Sequence, residues 1–531
     1  MTRLIAALLL LAGLAAPSHA QSRSEIERTM KRATTFMVEK AATNGGYVWS
    51  YLPDMSRRWG EIEAKPSMVW VQPPGTATMG HLFLDAYHAT GDEYYYQAAE
   101  KVAGALIWGQ HRSGGWNYFI DFAGPASTRH WYDTIGRNAW RMEEFQHYAD
   151  NGTFDDAGTS EAMQFLLRIY VEKRDPKYRP ALERAIGYVL DSQYPIGGWP
   201  QRWPHDPSYP EYARYITFND DVAAENIRFL TMVYQALGDP RVIDPINRAM
   251  NVFLVTQQGQ PQPGWGLQYT LDLKPAGARS YEPEALVTHT SAANLQALMN
   301  FYRLTGETKF LARIPEALDW LESVRLPAGE ERNGRAFPTF IEIGTNRPLY
   351  VHRRGSNVVN GQYYVDYSPQ ATIGHYSAFR AIDLAKLRRD YERLKATPPA
   401  EAAKDSPLLA ADPKPLPLYF VSGGMTGSDL NAGDRDAGPA ELVRGLNAQG
   451  WWPTELKATS NPYRGDGPAE PARGDFRTTH VGDSSDTSPF TTDRPVTGIS
   501  TAAYIANMAK LIEALKSARR QGARPAISTT K

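Results

Sequence analysis

The chain has 531 residues, a net charge of −1 and a hydrophobic share of 42%, a globular balance that excludes wholesale disorder. With Lys plus Arg at 57 against Asp plus Glu at 58, there is no basic field for general nucleic-acid or anionic-membrane binding, so an anionic partner has to be gripped locally or through a metal. Cysteine is absent, which removes disulfides, thiolate metal sites, iron–sulfur clusters and Cys nucleophiles and leaves oxygen and His as metal donors.

In chain order, Arg3, the apolar run Leu4 to Ala16 and the small-residue end Ser18-His19-Ala20 read as a secretory signal peptide over 1–20, too short to span a bilayer. The reading predicts a secreted or periplasmic monomer with no membrane span. A helix follows from about Ser24 to Ala42, then the loop Asn44-Gly45-Gly46-Tyr47.

Four segments then repeat one pattern: a helix ending in Tyr, an acidic or Gly turn, a second helix and a Gly-Trp loop. The tyrosines are Tyr87, Tyr170, Tyr234 and Tyr302, and the loop tryptophans are Trp116, Trp199 and Trp265. Apolar residues recur at helical spacing, as at Phe165, Leu166, Ile169 and Tyr170. Gly238-Asp239-Pro240 stops one helix and starts the next. A repeat longer than ordinary helical-repeat units fits a hairpin plus a functional loop. The fold class expected is all-α dominated, an α/α toroid with long loops on one face. After about Lys395 the chain turns Ala/Pro/Lys/Asp-rich, and later Gly/Asp/Thr/Pro-rich apart from Trp451 and Trp452. A last amphipathic helix begins near Ser500, with Tyr504, Ile505, Met508, Leu511, Ile512 and Leu515 on one face.

Three groups of residues can carry chemistry. Thr153-Phe154-Asp155-Asp156 and Thr217-Phe218-Asn219-Asp220-Asp221 precede successive hairpins, with Asp155 and Asp220 separated by 65 residues. Acids gathered on one rim are hard ligands suited to calcium, while the plainer use of Asp before a helix is N-capping. Arg279 precedes the fourth hairpin, and Arg347, Arg353 and Arg354 follow later. Guanidinium forks bind sugar carboxylates bidentately, although any single one is equally a surface arginine. Trp199, in the loop Gly197-Gly198-Trp199-Pro200-Gln201, offers a ring for sugar stacking or a plug between hairpins. There is no P-loop, dinucleotide fingerprint, His-Glu-x-x-His or Gly-x-Ser-x-Gly elbow.

The stretch QYPIGGWPQRWP…YARYITFNDDVAAENIRFL resembles the family 10 pectate lyases, which carry the same GGWPQ loop followed by ITFND. TFDDAGTSEAMQFLLRIY, GWGLQYTLDLKPAGARSYEP and FIEIGTNRPLY are similar to further blocks of that family in the same order, so the resemblance covers roughly 150–355. It implies an α/α toroid that cleaves polygalacturonate by calcium-dependent β-elimination. It carries Asp155, Asp156 and Asp220 over as metal-site acids, Arg279 as catalytic base and Arg353 as a substrate contact, with Arg347 and Trp199 as further substrate-binding candidates. The chain departs from the family pattern at Leu267-Gln268-Tyr269-Thr270 and at Arg354. The division expected is signal peptide 1–20, N-terminal hairpins 21–150, a lyase-like core 151–395, a linker and loop region 396–499, a docking helix 500–519 and a disordered tail 520–531.

In the implied reaction the C5 proton, α to the uronate carboxylate, is removed and the C4 oxygen leaves. Calcium and arginine stabilise the developing charge, and a desolvated Arg279 beside cations would have its pKa lowered. The partner is an anionic uronate polymer. Two other classes stay open: an α/α-barrel glycoside hydrolase using Asp155 and Asp220 as acid and base, and a non-catalytic pectin-binding protein. A terpene cyclase, suggested by the Trp loops, fits poorly with a signal peptide and an Arg-rich site.

Overall fold

The computed structural model describes residues 22–138, 143–354, 362–373, 377–421, 429, 431, 433, 436–460 and 496–522. The signal-peptide reading of 1–20 and most of the tail at 520–531 lie outside them. The helices are α1 (Arg23–Phe36, continued by one wide turn over Met37–Ala41), α2 (Thr76–Thr90), α3 (Glu93–Gly109), α4 (Pro125–Asp133), α5 (Gly158–Lys173), α6 (Arg179–Ser192), α7 (Val222–Leu237), α8 (Ile243–Thr256), α9 (Thr288–Thr305), α10 (Ile314–Ser323), α11 (Leu384–Lys395), α12 (Pro399–Ala402), α13 (Pro439–Gly445) and α14 (Thr501–Gly522). An inner row runs α14, α2, α5, α7, α9, and α1, α3, α6, α8 and α10 back it from outside. This is the expected α/α toroid.

One device repeats at each outer-to-inner crossing. Trp116, Trp199 and Trp265 are fully buried, and their indole N–H groups donate to Leu106 O, Val189 O and Phe253 O at 2.8, 2.8 and 3.0 Å, carbonyls of the preceding outer helix. Gly114 and Gly197 adopt φ of 104° and 110°. A Cβ at either would stand 2.0 or 2.2 Å from the carbonyl oxygen of Arg184 or Arg248 on the next outer helix, so only glycine lets the units close on one another. The loops therefore share one rim, and short β-bridges stitch them together, such as Thr153 with Arg202 and Thr217 with Gln268.

Part of 396–499, read from the sequence as linker and loop, is helical. α13, the loop to Trp452 and α14 form another unit of the same kind: Trp452 Nε1 donates to Leu442 O at 2.8 Å, and Gly450 has φ 100°. α14, the expected docking helix, stands in the inner row. It packs on α2 with Tyr504, Ile505, Met508, Leu511, Ile512 and Leu515 all buried, and Ser500 pairs with Ser50. Residues 414–421 cross the C-terminal ends of the inner helices. Asp85 of α2 accepts from the Phe420 and Val421 amides at 3.0 and 2.9 Å. Arg168 of α5 pairs with Asp85 at 2.6 Å and donates to Leu418 O, and the Phe420 ring stacks on His81. This crossing closes one side of a cavity of about 570 Å³ between α7 and α9.

The interior carries one titrating liability. Glu161 is 2% exposed and accepts from Thr78 Oγ1 at 2.7 Å, and burial pushes its carboxyl up to about 8. The folded state thus holds a proton that the unfolded chain releases above its ordinary range, so this group makes stability fall as pH rises from about 4.5 towards about 8. Glu161→Gln is expected to flatten that slope and to stabilise the protein at pH 8 by on the order of 1–3 kcal/mol relative to pH 4. Denaturant melts at the two pH values measure it; an unchanged slope contradicts it.

Candidate functional site

The two acidic loops are built alike. Thr153 N donates to Trp116 O at 2.7 Å and Thr217 N to Trp199 O at 3.0 Å. Phe154 and Phe218 are buried and pack 4.9 Å from the rings of Tyr188 and Phe253. Each loop then takes two consecutive left-handed residues, Asp156 and Ala157 at φ 49° and 58°, Asp220 and Asp221 at 53° and 54°. Such non-glycine pairs are costly and cluster at functional sites. They turn the chain so that α5 and α7 begin at once. No side-chain cap bond is formed at either helix start, so N-capping does not account for these acids. The register differs by one residue from the sequence reading: Asp156 is the structural counterpart of Asp220, and Asp155 that of Asn219, since Thr153 corresponds to Thr217.

Asp155 is buried and accepts from Tyr118 Oη at 2.5 Å, Gln201 Nε2 at 2.7 Å and Arg279 Nη2. Burial pushes its carboxyl up, but Arg279 and these hydrogen bonds win and hold it below the usual range. Asp220 reaches the same carboxyl through a shared side-chain hydrogen bond. Asp220 is crowded by neighbouring protein and faces Asp155, which drives its own carboxyl well up, yet its side chain is open to solvent. Asp156 is likewise raised, by its enclosure and by Asp220, Asp155 and Glu61.

Arg279, 5% exposed, sits within three carboxylates. Its Nη2 meets Asp155, its Nη1 lies 3.1 Å from Glu282, and its Nε lies 3.2 Å from Glu144 without hydrogen-bond alignment. Burial pulls its pKa down, but Asp155, Glu282 and Glu144 together pull harder, so it stands well above the ordinary arginine value. The expected lowering is reversed in this state. Glu143 and Glu144 also clamp the neighbouring turn through Ser280 N at 2.9 Å and Tyr281 Oη at 2.9 Å.

Sequence reasoning missed several members. Glu143, Glu144 and Tyr118 belong to loops with no motif of their own. Gln72 donates from Nε2 to Glu61 and to Asp156, each at 2.9 Å. The indole N–H of Trp70 can only donate, and it meets Gln72 Oε1 at 2.8 Å, which fixes which end of the amide faces the acids. Gln201 lies inside the GGWPQ motif, so its signal was present.

Three expected substrate contacts fare differently. Trp199 is a fully buried plug and cannot stack on a sugar. Arg347 is exposed at a turn with its guanidinium 3.4 Å over the Tyr367 ring, and no bond joins it to the Arg279 cluster. Arg353 lies on a strand, Pro348–Arg354, in register with Tyr363, whose ring is 5.4 Å from that of Tyr281. The backbone thus brings Arg353 beside the Arg279 turn, and its side chain lies outside the described residues.

The donor chemistry fits a hard cation. Asp155, Asp156 and Asp220 are oxygen donors that repel one another, and the buried Asn219 Oδ1 beside them has no hydrogen-bond partner, while Asn219 Nδ2 donates to Asp220 at 2.8 Å. Among the described residues no three acidic or His side chains form a ready-made metal cage.

Residues 124–365 match the family model described as pectic acid lyase, so this segment is similar to that family. None of the curated proteins matches the chain. Similar solved structures include a mutant family 10 polysaccharide lyase from Cellvibrio cellulosa in complex with trigalaturonic acid, at 17% identity, 61% of this chain, 94% of that one and a TM-score of 0.41. A second structure of a family 10 lyase from that organism gives 19%, 59%, 91% and 0.36. A GH76 alpha-mannanase from Bacteroides thetaiotaomicron gives 9%, 94%, 98% and 0.41. Among the described residues no helix is long and apolar enough to cross a membrane.

Proposed function

We propose that this protein is a lyase that cleaves polygalacturonate, or a closely related uronate polymer, by calcium-assisted β-elimination, acting outside the cytoplasm as a monomer. The observation that carries the reading is the acid cluster itself. Asp220 is exposed and Asp156 half-buried, with Arg279 buried against Asp155, so a polyanion meets net negative charge unless a cation is present. Asp155, Asp156 and Asp220, with Asn219 Oδ1, would hold calcium, whose chemistry is to neutralise the uronate carboxylate and acidify the C5 proton.

Arg279 takes the C5 proton in this reading, the C4–C5 double bond forms, and the electron pair of the broken C4–O bond leaves with the glycosidic oxygen. Tyr118 and Gln201 hold Asp155 in place, and Glu282 shapes the turn that aims Arg279. The base role demands that the carboxylate shell release its grip on the guanidinium when cation and substrate arrive. The three-carboxylate shell favours a second role, in which Arg279 stays protonated and holds the developing negative charge. A base role gives a rate that climbs through the alkaline range; a charge-holding role gives a plateau.

The products test the reading. Elimination yields one fragment of each pair lacking the elements of water, seen by mass spectrometry of polygalacturonate digests. Fragments carrying the full mass of hydrolysis at both ends would instead support the glycoside hydrolase, and no new ends would support a binding protein.

A further inference from the structure

Trp108 is the only tryptophan among the described residues that stands exposed, at 56%, on the last turn of α3. Its ring packs 4.6 Å from that of Phe122 at 38°, so one side is supported. One turn back, Gly104 carries no side chain, and a Cβ there would meet nothing within 4 Å. Helical side chains lean over the turn N-terminal to their own Cα, so the indole borders a bare shelf. Beyond its contact with Phe122, leaving such a ring in water forgoes the free energy that burial would supply.

The position ties this shelf to the catalytic rim. Gly109, next to Trp108, abuts Ile120. Ile120 lies on the short strand Phe119–Asp121, which pairs with Met68–Trp70. That strand starts immediately after Tyr118, whose hydroxyl contacts Asp155, so Phe122 lies no more than ~14 Å of extended chain from Tyr118. Four residues after Trp108, the Arg112 side chain is 79% exposed, and its 3.1 Å pair with Asp150 is itself solvent-exposed. Such a pair contributes little and is readily exchanged for another carboxylate.

We propose that Trp108, backed by Phe122 and followed four residues on by the exposed Arg112, is a remote subsite for a uronate polymer chain: the indole face takes an apolar sugar face and the guanidinium a sugar carboxylate. This rests on the uronate-lyase reading above. The subsite binds sugars beyond those at the scissile bond, so it matters for long chains and not for short ones.

The test compares wild type with Trp108→Ala, using polygalacturonate and trigalacturonate, with retardation in polygalacturonate gels and thermal melts alongside. The expected result is a three- to tenfold rise in KM for the polymer, a matching loss of gel retardation, and unchanged kcat, trimer turnover and melting temperature. Trp108→Tyr should recover most of the polymer affinity. Equal polymer KM and retardation in Trp108→Ala and wild type overturn the subsite, as does an equal loss on trimer and polymer. If wild type is neither retarded nor active on the polymer, the lyase reading fails first, and that result is visible without any variant.

Discussion

Replacing Arg279 with alanine is expected to cut release of unsaturated product by at least ~10²–10³-fold, the scale of losing one preorganised charge in an active site. Its surroundings add a second effect. Asp155, Glu144 and Glu282 are all buried around it, and removing the cation leaves buried carboxylates uncompensated, a loss on the order of 3–5 kcal/mol. Activity and stability therefore fall together in Arg279→Ala. Arg279→Lys separates them: it keeps a positive charge for the three acids but loses the planar fork that meets them on separate nitrogens. Lys should recover much of the melting temperature and little of the turnover, with kcat rather than KM carrying the loss. Near-normal product release by either variant would remove Arg279 from the chemistry and move the acid pair to the front.

Calcium should bind the acid cluster, and Asp220→Asn should weaken it at least tenfold. Asp156 is held above its ordinary range by enclosure and by the charge of Asp220, and Asp220 by enclosure and by the charge of Asp155. Each must give up its proton before it can ligate, so calcium affinity should rise with pH and binding should release protons. Calorimetry in buffers of different ionisation enthalpy reads the proton count directly. A cation that binds only the folded state also raises its stability, by about 2.7 kcal/mol at a hundredfold excess over Kd. The melting temperature of wild type should therefore climb with calcium while that of Asp220→Asn barely moves. Equal responses in the two proteins would place the cation elsewhere.

Much of the fold was legible because each unit repeats local chemistry: a Tyr-ended helix, a turn, and a Gly-Trp plug whose glycine has no substitute. The plug also explains why Trp199 misled. A tryptophan beside glycines looks like a sugar platform, but three such loops bury the ring identically against the preceding helix, and the exposed ring, Trp108, lies outside any motif. The further unit from α13 to α14 was hidden by composition. Its Gly450-Trp451-Trp452 signal was visible, but the Gly/Pro-rich residues around it masked the periodicity.

That the acids and Arg279 meet could be anticipated from spacing and resemblance, since each precedes an inner helix. Their exact register could not, because the two loops share Thr-Phe but align Asp155 with Asn219. Gln72, Glu61 and Glu144 could not be read at all. They reach the site from loops far along the chain, and only tertiary packing brings Gln72 to Asp156. The cation-free charge state of Arg279 could not be read for the same reason: desolvation was foreseen, and the three acids that outweigh it here were not.

The most direct measurement is the ultraviolet absorbance of the C4–C5 double bond conjugated to the uronate carboxylate, followed as the protein acts on polygalacturonate with calcium and then with a chelator. The account predicts absorbance that grows with calcium, stops on chelation and resumes when calcium is restored. Chain shortening that proceeds unchanged in chelator, with no absorbance gained, would contradict it.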